Sequence, residues 1–295
     1  MSDKKSLISK PRLRDIAFFF GPLIAFYAVF YLFSTGFLIF TSFQKISISL
    51  RKGTFIGWRN FELLLTDPNF INAVTNNLVF AAVSIIAGLT LGFVIAVALS
   101  TGRRGKTLLY AVFLLPTLMP LALIASVFRV LLESRFGGLN ELLRSVGLEQ
   151  MAMQWLIDPP LAYGVVVVLF INMIGLPIMY YTANLSAINT SVLEAAVMDG
   201  ARTGRIMREI LFPLMRGTHR TIILSTILMS FRAFDIVFFS TQGGPAGTTE
   251  ITGTYVYRFS TSGTNVGYGS AAALVVMVVA LLIAALQLFW TRKRS

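Results

Sequence analysis

A chain of 295 residues that is 56% hydrophobic and only 13% charged is no soluble globule, in which about a quarter of residues carry charge. So much apolar surface, with a mean hydropathy of +0.75, cannot be hidden inside 32.5 kDa. The composition is that of an integral membrane protein and excludes a disordered chain, a collagen or a coiled coil. With no cysteine and one histidine, His219, thiol catalysis, disulfides and cysteine–zinc sites are excluded, and no histidine cluster is left to hold a metal.

Six apolar runs follow in order: Ile16–Phe43, Leu78–Leu99, Leu108–Leu131, Leu161–Leu185, Thr221–Thr241 and Tyr268–Trp290. Each reaches the roughly 20 residues that a spanning helix needs. The first is far longer than the apolar stretch of about 7–15 residues in a cleaved signal peptide, and it reads as an uncleaved anchor. In the second, Gly88 and Gly92 form a G-x-x-x-G pattern that lets two helix backbones approach closely. Pro116 and Pro120 in the third, and Gly175 and Pro177 in the fourth, predict kinked helices, because proline removes a backbone donor. Arg129 ends the third run and is placed to snorkel.

The fifth run carries charge. Arg232 lies near its middle and Asp235 three residues on, a spacing that puts both on one helix face. Ionised groups at that depth cost roughly 3 kcal/mol each and either pair or face a cavity. Two readings follow: a local ion pair, or a polar patch on a solute path with Phe234 and Phe238 as stacking surfaces, where a carboxylate accepts hydrogen bonds from sugar hydroxyls. Between runs, Gly57-Trp-Arg-Asn-Phe61 and the stretch from Gly137 to Trp155 read as short surface segments. Thr241-Gln-Gly243-Gly244-Pro245 reads as a compact turn.

The net charge of +12 is a topology signal. Lys4, Lys5, Lys10, Arg12 and Arg14 precede the first run, and Arg103, Arg104 and Lys106 join the second to the third. Arg202, Arg205, Arg208, Arg216 and Arg220 join the fourth to the fifth, and Arg292, Lys293 and Arg294 end the chain. The other three connections hold fewer than half as many, namely Lys45, Arg51, Lys52, Arg59, Arg135, Arg144 and Arg258. Both termini are therefore expected in the cytoplasm. The excess charge serves attraction to anionic membrane lipid, and no nucleic-acid partner is expected. The predicted organisation is a cytoplasmic tail at 1–15, a six-helix transmembrane domain at 16–290 with a cytoplasmic loop at 186–220, and a second tail at 291–295.

That loop is patterned. Ser191-Val-Leu-Glu194 matches a capping box, predicting a helix from Val192 to about Asp199 that Gly200 stops in a left-handed conformation. A second helical stretch is expected to about Leu211, with Pro213 at its end. Glu194-Ala195-Ala196, then Gly200, Ile210 and Pro213 resemble the E-A-A-x3-G-x9-I-x-L-P motif of bacterial binding-protein-dependent ATP-binding-cassette importers. Phe212 stands where that motif has leucine. Asp199-Gly200-Ala201, Phe234-Asp235 and Gly243-Gly244-Pro245 resemble its carbohydrate branch, in particular the maltose-transporter-F-like or glycerol-phosphate-permease-A-like half.

The resemblance covers nearly the whole chain. It implies an all-α, type I importer permease fold in a bacterial cytoplasmic (inner) membrane. It also implies a loop, including Asp199 and Ala201, that docks on an ATPase, and an outer Gly243–Pro245 turn that meets the solute-binding protein. The implied partners are a second homologous permease subunit, two ATPase subunits that hold ATP and Mg, and an extracytoplasmic solute-binding protein. This chain itself is expected to bind no cofactor and to catalyse nothing. Gly105-Lys106-Thr107 has the end of a phosphate-binding loop, but Ser100 replaces its first glycine and no strand precedes it. A secondary transporter would need more intramembrane carboxylates and an internal repeat, and an enzyme a cluster of catalytic groups. An amino-acid or other solute importer of the same architecture is the nearest alternative.

Overall fold

The computed structural model describes residues 13–47, 53–100, 105–261 and 265–292. The basic residues as far as Arg12, together with Arg51, Lys52, Arg103, Arg104, Lys293 and Arg294, lie outside them.

Among the described residues the chain is helical apart from a two-residue antiparallel ribbon, β1 (Gln44–Lys45) with β2 (Thr54–Phe55). The first run forms α1 (Leu13–Tyr27) and α2 (Ser34–Ser42), joined by a wide π turn at Ala28–Phe33. Its side chains from Phe18 onward are largely exposed, as suits a helix facing lipid. A helix α3 (Arg59–Leu65) follows, within the surface segment that begins at Gly57. Asn60 fixes it from inside, donating to the carbonyls of Ser42 at 2.8 Å and Gln44 at 2.9 Å.

The second run is α4 (Pro68–Ala87), a π turn at Gly88–Gly92 and α5 (Phe93–Ser100). Asp67 caps α4 by accepting from the Asn69 N–H at 2.8 Å, with Pro68 at the first helical position. A Cβ at Gly88 would stand 2.9 Å from Pro177 Cγ, and one at Gly92 3.0 Å from Pro177 Cβ. The G-x-x-x-G pattern is thus a packing notch, and the proline of the fourth run fills it.

The third run departs from a kinked single helix. α6 (Lys106–Leu118) and α7 (Leu121–Leu131) meet at 100°. Pro120 forces Met119 into an extended conformation, ψ 145°, and supplies no N–H to continue the ladder. After α8 (Gly138–Ser145), the fourth run comprises α9 (Pro159–Ile171), a 3₁₀ turn at Asn172–Ile174 and α10 (Gly175–Leu185).

The loop at 186–220 holds α11 (Thr190–Met198), α12 (Thr203–Arg205), a π turn at Ile206–Leu211 and α13 (Phe212–Leu214). The fifth run is broken into α14 (Arg216–Arg232) and α15 (Phe234–Ser240), which meet at 45°. A helix absent from the sequence reading, α16 (Thr252–Thr261), precedes the last run, α17 (Val266–Arg292).

Among the described residues, four helices are long and apolar enough to cross a membrane, and each of two bent pairs would supply one more. The core lies in three clusters. One centres on Phe80, Phe170 and Val237. The second, beside the 186–220 loop, centres on Phe93, Tyr181 and Met215, and the third on Leu64, Tyr255 and Ala272.

Candidate functional site

At one end of the bundle the 186–220 loop forms a knuckle. The cap of α11 is Asn189, whose Oδ1 accepts from the Ser191 N–H at 3.1 Å. This corrects the expected capping box: Ser191 lies inside the helix, and Glu194 is exposed and free of the capping role. Asparagine two residues before Ser191 competes for the same donor and wins because its amide oxygen reaches the second N–H of the helix.

The far end agrees with expectation. Gly200 takes φ +77°. The Ala201 N–H donates to the Ala196 carbonyl at 3.0 Å and the Gly200 N–H to Val197 at 2.9 Å, the paired bonds of a Schellman stop. Ala196 faces inward, whereas Glu194, Ala195, Asp199 and Gly200 are exposed. The second stretch ends at Leu214, one residue past Pro213, with Ile210 and Pro213 half-buried. Leu211 and Met215 beneath it are buried against Phe93, Ile178 and Ile222, which keys the knuckle to three helical runs.

The break in the fifth run is the second feature. Ala233, at φ −80° and ψ 39°, interrupts the helix between Arg232 and Asp235, so the two no longer share a helical face. They form no ion pair; Arg232 is exposed and Asp235 half-buried. Asn77 of α4 bridges the break. Its Nδ2 donates to the Ser230 carbonyl at 3.0 Å, while its Oδ1 accepts from the Thr252 N–H at 2.8 Å and Oγ1 at 2.7 Å. Phe234 and Phe238 stack at 4.8 Å, with Tyr257 against both at 5.2 and 4.9 Å. Beside them runs an open apolar groove of about 520 Å³, which Phe231, Phe234 and Tyr257 help to line.

The opposite end is closed by the loop after α15. Gln242, Gly243, Ala246 and Gly247 all take positive φ, and Gly243 and Gly244 line a cavity of about 500 Å³. Two asparagines of α4 hold this loop by its carbonyls: Asn72 donates to Gly247 at 2.9 Å, and Asn76 to Thr248 at 2.9 Å and Glu250 at 2.8 Å. Sequence reasoning missed Asn72, Asn76 and Asn77. Their signal was three amides within six residues of a helix whose later turns are largely apolar. It missed Glu250 too, a buried residue whose carboxylate pairs with Arg258 at 3.1 Å.

Burial pushes the Glu250 carboxyl above its ordinary value of 4.5; Arg258 draws it back and the nearby Asp67 carboxylate pushes it further up. A carboxyl with a raised folded-state pKa adds stability at low pH that fades as pH climbs from about 4.5 through the folded value. Arg258 opposes that rise. Arg258→Met is therefore expected to destabilise the protein by about 1–2 kcal/mol at neutral pH, and by less at about pH 5. The loss falls short of the roughly 3–5 kcal/mol of a fully stranded charge, because Arg258 is half exposed and water reaches the pair. Glu250→Gln, which removes the buried charge, should cost less. Thermal unfolding of the solubilised protein at the two pH values checks this, and pH-independent losses of equal size would contradict it.

A bundle of long apolar helices with a broken run and an exposed loop keyed into its core is the architecture of a helical membrane protein. The family model of the binding-protein-dependent transport system inner membrane component matches residues 88–295, and the chain belongs to that family. It is a permease subunit of the inner membrane, and the ATPase of such systems is a separate subunit.

The sn-glycerol-3-phosphate transport system permease protein UgpA of Brucella abortus is 29% identical over 94% of this chain and 94% of its own. The multiple sugar-binding transport system permease protein MsmF of Streptococcus mutans is 26% identical over 96% and 93%. The fold is similar to a chain from the crystal structure of a bacterial ABC transporter involved in the import of the acidic polysaccharide alginate. There the TM-score is 0.78 at 21% identity, covering 96% of this chain and 97% of that one.

Proposed function

We propose that this chain is one half of the translocation path of an ATP-driven carbohydrate importer, with six spans and both termini in the cytoplasm. In this reading each bent pair of helices crosses once. The tails are 1–15 and 291–295, and the 186–220 loop couples the path to an ATPase. A second permease subunit supplies the other half, two ATPase subunits hold ATP and Mg, and an extracytoplasmic binding protein delivers solute.

One observation carries the proposal. Glu194, Ala195, Asp199 and Gly200 stand exposed on a knuckle whose base, Leu211 and Met215, is buried among the second, fourth and fifth runs. A protruding, preformed surface rooted in the bundle is what mechanical coupling to a soluble partner requires. Ala196, Ala201, Ile210 and Pro213 brace it. Arg232, Phe234, Asp235 and Phe238 flank the break in the fifth run and would face the solute, aromatic rings against sugar faces and the carboxylate against hydroxyls. Gly243, Gly244 and Pro245 would meet the binding protein. The names of UgpA and MsmF support the carbohydrate class.

The solute is tested on the binding protein that cross-links to a cysteine at Gly244 in whole cells. A sugar, polyol or sugar phosphate should raise its melting temperature; stabilisation by amino acids alone would favour the sister class of importer. Topology is tested by single cysteines, which this chain permits because it has none of its own. Cysteine at Ser2 or Ser295 should react only after permeabilisation, and at Thr248 from outside. The reverse pattern at a terminus would refute the orientation.

A further inference from the structure

His219 is the chain's sole histidine, and both of its ring nitrogens are engaged. It lies one turn into α14, just past the joint at Met215 where the chain leaves the loop and enters the fifth run. Its Nε2 is 2.8 Å from the Phe212 carbonyl, across the joint, and its Nδ1 is 2.7 Å from the Tyr181 hydroxyl on α10. The Phe212 carbonyl can only accept, so Nε2 carries the proton. In the neutral ring Nδ1 then accepts, and Tyr181 donates. Every atom of the chain from carbonyl to phenol has one role.

The imidazole also lies over the Phe212 ring at 4.2 Å. Phe93 of α5 meets Phe212 edge-on at 5.2 Å and Tyr181 at 5.4 Å. Tyr181 is fully buried, so its hydroxyl has no recourse to water. Phe212 is the position at which this chain departs from the leucine of the E-A-A motif, and its aromatic ring is the surface on which His219 rests.

We propose that Phe212, His219 and Tyr181 form a hydrogen-bonded strut that carries movement of the 186–220 loop into the fourth and fifth runs. His219 is a positioning residue for transport, acting through Phe212 and Tyr181. The inference rests on reading that loop as the element that meets the ATPase. Met215 and Leu211 pack the base of the joint, and the strut adds directional bonds across it; without them, part of a displacement of the knuckle is absorbed at the joint before it reaches the membrane helices.

The test uses the whole importer in proteoliposomes, with its ATPase subunits and binding protein, and reads both retained ATPase and solute moved per ATP hydrolysed. His219→Leu should keep its ATPase subunits and continue to hydrolyse ATP. Its solute-to-ATP ratio should fall about two- to thirtyfold, the range over which residues on a mechanical path alter coupling. Tyr181→Phe, which deletes one oxygen, should act in the same direction. The double variant should be no worse than His219→Leu, since both break one chain of bonds. His219→Gln, whose amide donates and accepts, should recover part of the ratio.

Wild-type ratios in His219→Leu and Tyr181→Phe, or losses that add in the double variant, would overturn the strut. Should His219→Leu fail to assemble, Tyr181→Phe decides alone. Failure of the underlying loop reading shows elsewhere, as undiminished ATPase retention in Gly200→Val.

Discussion

Gly200→Val is expected to strip the ATPase subunits from a membrane bundle that still inserts and folds. Gly200 holds φ +77°, which costs a side-chain-bearing residue about 1–2 kcal/mol. No atom of the chain lies within 4 Å of where its Cβ would be, so valine meets no obstacle inside the protein. The damage is expected from unmaking the paired bonds that Ala201 and Gly200 donate, and from bulk on the surface proposed to dock on the ATPase.

Two further variants separate these causes. Gly200→Ala adds strain with little bulk. Gly200→Asn adds bulk in a residue that tolerates the left-handed region. Co-purification of ATPase with the tagged chain should fall at least about tenfold in Gly200→Val, which corresponds to about 1.4 kcal/mol of docking free energy. Membrane yield should stay near wild type. Normal retention with normal transport would show that this knuckle does not couple.

Gly88→Leu is expected to do the opposite and cost the fold itself. Even a Cβ at Gly88 would meet Pro177 Cγ at 2.9 Å and come within 3.5 Å of Ile222 Cγ2, so a leucine must part the second run from the fourth and fifth. Pro177 has no flexible end to swing aside. Overpacking of this kind costs about 1–3 kcal/mol where the surroundings can give, and more where a rigid ring blocks the way. Between two helices packed backbone to backbone in lipid, the expectation is loss of most folded protein, read as monodisperse yield after detergent extraction. Ile86→Leu, two residues away on the exposed side, should be harmless. Gly88→Ala should fall between. A normal yield for Gly88→Leu would mean that the close approach to Pro177 is not maintained.

These two glycines also mark how differently sequence and fold inform on this protein. Six apolar runs were legible because hydropathy is a local property summed over about 20 residues, and the knuckle because its glycine stop and its alanines stand at fixed spacing. The cap of α11 was misread by two residues, since Asn189 and Ser191 are both good caps and only backbone geometry chooses between them. The prolines of the third run signalled a bend. Its size, 100°, was set by Met119 turning extended ahead of Pro120 and by the place where α7 finds its partner, α15.

Arg232 and Asp235 looked like an i, i+3 pair because an unbroken helix was assumed. At the break, Asn77, more than 150 residues earlier, adds a donor at 3.0 Å to the Ser230 carbonyl, which the Ala233 N–H reaches at 3.3 Å. No local pattern around Ala233 contains that amide. Likewise His219 read as a lone histidine without a cluster, and only packing brought it between Phe212 and Tyr181. By itself the sequence determined that this is an integral membrane protein and where its patterned 186–220 loop lies, for both are written in composition and short-range spacing. The tertiary structure decided which helices break and which polar groups bridge the breaks. A buried donor or acceptor must find a partner wherever the fold supplies one, at any distance along the chain.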